Sequence, residues 1–121
     1  MSSPTIVSRR LRYYRYQDGR CDCCERHMWE PRIEALEDYV ARMNTLGLSP
    51  KRSTVRTKLR CTYEHFHSLA QGGGTNAEMD VATCIECNGR RSDAPYPMWR
   101  SLVRSLGSAE AAAQALKARA A

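Results

Sequence analysis

Two cysteine pairs, Cys21-x-x-Cys24 and Cys84-x-x-Cys87, constrain this chain more than any other feature. Two residues between thiolates let both sulfurs face one ion while backbone amides cap them, which is the spacing of tetrahedral zinc. The pairs lie far apart, so a domain must fold between them. An ion held by all four would close that long loop, the kind of staple a small domain needs. Four thiolates leave no open position for water, so the site reads as structural zinc. Cys23 and Cys61 are left over. Cys23 is an alternative to Cys24 at a less favourable spacing, His27 an alternative to one cysteine, and Cys61 reads as a buried small hydrophobe.

This reading requires reduced thiols. Met1-Ser2-Ser3-Pro4 runs into Arg9-Arg10 without an apolar stretch, and no run approaches membrane-spanning length. The expectation is a cytoplasmic protein without a membrane partner, whose six cysteines serve as metal ligands rather than disulfides.

The length of 121 residues suits one domain with a tail. A net charge of +6, with arginine far in excess of lysine, points to a polyanionic partner. Residues 1–20 read as a basic arm. Arg9, Arg10, Arg12, Arg15 and Arg20 are candidates for phosphate contact, and the interleaved Tyr13, Tyr14 and Tyr16 either stack on bases or dock the arm.

After the first knuckle, Pro31 opens a helical pattern. Ile33, Leu36, Val40 and Met43 form its apolar stripe, and Gly47 ends it. Residues 48–57 read as a polar, basic loop. Lys58 to His65 alternates like a strand, Gly72-Gly73-Gly74 marks a wide turn, and a second strand lies near Met79 to Ala82. Cys84 turns into a short helix carrying Asn88, Arg90 and Arg91. A further helix lies around Met98 to Leu106, followed by an alanine-rich helical tail with little to bury. Domain limits are therefore 21–92 for the core and 93–121 for a helical segment. Glu86, inside the second knuckle, reads as a solvated helix residue.

The stretch Glu64-His65-Phe66-His67, ahead of the glycine turn, carries the chemistry. Hydrolysing a phosphodiester needs a base for water, a hard cation on the phosphate and leaving oxygens, and positive neighbours. Glu64-His65, Gly72-Gly73 and Cys84-x-x-Cys87-Asn88-x-Arg90-Arg91 occur in an order and spacing that resemble the HNH endonuclease family over roughly residues 21–92. The resemblance implies an α+β fold, a zinc-stapled ββα-metal core with an N-terminal basic arm, a preceding helix and C-terminal helices. It implies that His65 is the general base, that Glu64 and Asn88 are catalytic and bind a divalent cation, and that Arg90 and Arg91 lie near the scissile backbone. Magnesium or manganese suits the oxygen ligands. His67 is a further candidate ligand or phosphate contact. The implied substrate is double-stranded DNA.

Two positions depart from the family pattern. Met79 stands where the family has an asparagine that orients the base, with Asn76 and Asp80 nearby, and Ser68 replaces a proline. The alternatives are a non-catalytic zinc-bound DNA-binding module and a phage assembly module. Homodimers and a phage packaging partner remain open.

Overall fold

The computed structural model describes residues 5–65 and 80–120, the side chains of His65 and Ala120 excepted. Among these residues the chain is α+β, with a two-stranded antiparallel sheet and six α-helices.

The first helix, α1 (Ile6–Tyr16), forms where the sequence suggested an arm. Thr5 caps it, its hydroxyl accepting from the Ser8 amide at 3.0 Å. Tyr14 packs into the core while Arg12, Arg15 and Tyr16 face solvent. The helix lies against both strands. Gly19 ends the turn that follows, with φ +73°; a Cβ there would also meet the Tyr14 hydroxyl at 3.0 Å.

The next helix, α2 (Leu36–Thr45), begins several residues after Pro31, which lies in a turn. The expected basic loop is mostly helical instead. A single turn, α3 (Arg52–Thr54), widens into a π-helical turn over Val55–Leu59. Val55 and Leu59 are buried with Tyr39 and Met43 in a small cluster that Trp29, Leu36 and Val40 border. Burial of this one face holds the turn in place and leaves its cations outside.

Strands β1 (Cys61–His65) and β2 (Asp80–Cys84) pair in register from Cys61 opposite Cys84 to His65 opposite Asp80. β1 begins at Cys61 rather than Lys58 because the π-helical turn uses the preceding residues. Trp29 extends the sheet beside Arg60: its amide donates to the Leu59 carbonyl at 2.9 Å, and its carbonyl accepts from Cys61 at 2.8 Å. Gln17 covers the other edge, exchanging two 2.9 Å side-chain bonds with the backbone of Ala82.

Three helices follow: α4 (Ile85–Arg91), α5 (Tyr96–Leu106) and α6 (Ala109–Ala120). Trp99, Val103 and Tyr96 of α5 fill the main core with Met28, Ala82 and five cysteines. The alanine-rich segment is a packed helix, not a loose tail. Ala109 and Ala112 are buried, since small side chains let α6 approach α4 and α5 closely. No helix of the described residues is long and apolar enough to cross a membrane.

Candidate metal centre and the hairpin–helix site

The first knuckle is a tight loop closed by a bridge between Arg20 and His27. Inside it the Cys21 amide donates to the Arg26 carbonyl at 2.9 Å. Glu25 takes φ +68° to turn the chain back. The second knuckle is the junction of β2 and α4, where Cys84 is the helix cap and its sulfur accepts from the Cys87 amide. The Cys84 amide reaches across to the Cys21 sulfur at 3.3 Å, as do the amides of Cys23 at 3.3 Å and Cys24 at 3.4 Å. Amide donors of this kind stabilise thiolates.

The sulfurs of Cys21, Cys24, Cys84 and Cys87 all lie within 4.8 Å of one another, and none is in a disulfide. Those of Cys24 and Cys84 are 3.8 Å apart. Four sulfurs at the zinc–sulfur distance of about 2.3 Å around a tetrahedral ion would stand about 3.8 Å from each other. The donor set and its dimensions therefore fit a metal such as zinc. Among the leftover cysteines, Cys23 is buried beside the cluster but is not one of the four, and His27 is not a member either. Cys61 is buried in the core, and burial pushes its thiol up to about 12.

The surroundings of the cluster are charged. Arg26 donates to Cys24 Sγ at 3.2 Å and to Cys84 Sγ at 3.5 Å, and it meets Glu86 Oε1 at 2.8 Å. Hydrogen bonds from the Cys21, Cys84 and Cys87 thiols push the Cys24 thiol down, and Arg26 adds to this. Glu86 is not the solvated residue its helical position suggested. Its side chain is 10% exposed and collects Lys58 at 3.8 Å and Arg90 at 3.3 Å besides Arg26. On the opposite side Arg104 of α5 donates to the carbonyls of Asp22 at 2.7 Å and Cys23 at 3.2 Å, while the Tyr96 hydroxyl meets Asp22 at 2.7 Å. Asp22, Tyr96 and Arg104 carry no sequence signal for this role. Arg26, two positions past Cys24, carried a faint signal.

The second constellation lies where β1 meets α4. Alternate residues of a strand share a face, and the face bearing Thr62 and Glu64 looks onto α4. Residues three apart share a helix face, and that of α4 bears Asn88 and Arg91. Asn88 Nδ2 donates to Thr62 Oγ1 at 3.1 Å and to the Tyr63 carbonyl at 3.3 Å. Arg91 forms an ion pair with Glu64, and both side chains are buried. A second Arg91 nitrogen donates to the Ala94 carbonyl at 2.9 Å.

On the other face the Tyr63 hydroxyl donates to buried Asp80, and the Tyr13 ring lies 6.5 Å away. Burial, then the bond to Asp80, pushes the Tyr63 phenol up to about 12. Asp80 stands directly across the ladder from His65. The side chain of His65, and His67, Gly72, Gly73, Asn76 and Met79, lie outside the described residues.

The arginines named as phosphate contacts are placed differently. Arg12, Arg15, Arg20 and Arg90 are exposed and Arg9 is half-buried. Arg10 instead holds Glu30, which is wholly buried, and Arg91 holds Glu64. These two guanidiniums serve buried carboxylates in this arrangement, which sequence spacing does not reveal.

No family model, curated protein or solved structure matches the chain.

Proposed function

We propose that this protein is a metal-dependent endonuclease of the HNH type that hydrolyses the phosphodiester backbone of double-stranded DNA. The observation that carries the reading is the hairpin–helix unit. β1 ends on Glu64-His65, β2 returns into the second knuckle, and α4 lays Asn88 against β1. That order is the one a ββα-metal core requires. His65 would take a proton from the attacking water. Glu64 and Asn88 would hold a magnesium or manganese ion. With the Asn88 amide nitrogen on β1, its oxygen is the atom available to a cation. The cation would stabilise charge on the phosphate and the leaving oxygen. The four cysteines would hold a structural zinc that joins the two knuckles. Arg9, Arg12, Arg15 and Arg90 would meet the DNA backbone.

A second reading, a zinc-bound module that grips DNA without cutting it, is favoured by one observation: Glu64 is already ion-paired with Arg91. Supercoiled plasmid incubated with magnesium, manganese or a chelator separates the two. Divalent-dependent nicking or linearisation, abolished by His65→Ala, is the expected result. A DNA mobility shift without cutting under any divalent ion would leave only the binding module.

A further inference from the structure

The geometry points to the rim formed by Arg56, Lys58 and Arg60 as the surface that grips duplex DNA. This inference rests on the DNA-cleaving reading and locates its substrate track. Residues 48–63 hold five cations, Lys51, Arg52, Arg56, Lys58 and Arg60, and no acidic residue. The fold sorts these five by use. Arg52 is held by Glu37, and Lys58 lies 3.8 Å from Glu86 with its side chain 47% exposed. Arg56 and Arg60 are exposed, with no ion pair to a carboxylate among the described residues. Val55 and Leu59 are buried beneath them, so the backbone that carries the cations is anchored.

Position gives the rim its meaning. Arg60 lines a groove of about 440 Å³ whose wall continues along β1 through Thr62 and Tyr63. Thr62 is the residue on which Asn88 rests, so the groove leads to the proposed catalytic end of β1. On the other side of the turn, Lys58 and Arg90 flank a second groove of about 240 Å³ between the turn and α4. At about 3.3 Å per strand residue, Arg60 stands some 13 Å from Glu64 along β1. That distance matches about four base steps at roughly 3.4 Å each. A duplex cut at Glu64-His65 would then place a backbone phosphate near Arg60. Guanidinium forks suit such phosphates.

The test is binding of a fluorescent DNA duplex by anisotropy at several salt concentrations, with calcium in place of magnesium to suppress cutting. Arg56→Gln/Arg60→Gln is compared with wild type and with Lys117→Gln/Arg119→Gln on α6, which removes the same charge. All four side chains are exposed, and thermal melting verifies that each variant is folded. The rim variant is expected to bind about ten-fold more weakly at low salt, with a salt slope shallower by about 2. The α6 variant should lose less. If wild type binds duplex and the rim variant binds equally, with the same slope, the rim assignment falls while the nuclease reading stands. If wild type binds no duplex, both fall.

Discussion

Replacing Arg91 by methionine tests whether one buried ion pair joins α4 to β1. The two side chains are 9% and 4% exposed, so solvent screens little of their attraction. Removing Arg91 leaves a buried carboxylate without its guanidinium and costs about 3–5 kcal/mol. Glu64→Gln alone leaves the guanidinium buried and should cost a similar amount. The double variant Glu64→Gln/Arg91→Met removes both charges, so its loss should fall short of the sum by about 2 kcal/mol or more. Urea unfolding followed by circular dichroism, in excess zinc so that metal linkage is equal across the set, gives the three differences. A loss under about 1 kcal/mol for Arg91→Met, with coupling under about 0.5 kcal/mol, would refute the argument. The pair would then be solvated, and α4 would be held by Asn88, the Glu86 ion pairs, Cys87 and apolar packing.

Three further outcomes are expected. Metal analysis of wild type should find about one tightly held zinc per chain, and Cys84→Ser should lose it and melt earlier; full zinc at unchanged melting temperature would defeat the four-cysteine centre. Arg26→Met should keep the fold but release metal to a competing chelator several-fold faster, because two thiolates lose a charged donor; an unchanged release rate would make Arg26 a surface contact. Tyr39 is buried, and burial raises its phenol from 10.0 to about 12. Between those values the native chain keeps a proton that the unfolded chain has released, so stability falls as pH rises through that window. Tyr39→Phe should flatten part of this alkaline fall, while costing about 1 kcal/mol at pH 7 by losing the 2.6 Å bond to the His27 carbonyl. An alkaline profile identical to wild type would show that Tyr39 is not the titrating group.

The cysteine spacing made the four-cysteine cluster legible, because knuckle geometry is local: each pair needs only four residues and a turn. The hairpin and α4 were legible for the same reason, as alternation and a helix cap are written in neighbouring residues. What lay hidden depended on distant partners. Nothing near Glu86 announces Arg26 and Lys58, and nothing near Arg91 announces Glu64. The amino-terminal segment was read by its charge, whereas its fold follows from Tyr14, which enters the core and draws the chain into a helix. Residues 48–57 look like a loop because polar side chains predominate there, and Lys58 and Leu59 look like the start of a strand, yet burying Val55 and Leu59 is enough to wind residues 52–59. Alanine at 109 and 112 seemed to offer little to bury, but close approach of α6 requires small side chains there.

The two apolar clusters also set an order of events during synthesis. The smaller one, around Tyr39, Met43, Val55 and Leu59, needs nothing made after residue 59. The larger one draws on residues from Tyr14 to Ala112. A growing chain can therefore wrap its middle segment while Cys21 and Cys24 still wait for Cys84 and Cys87. Until those emerge, the first knuckle offers only half a coordination shell. Any metal held by all four sulfurs would join late, and the knuckle made first is among the last parts of the protein to be completed.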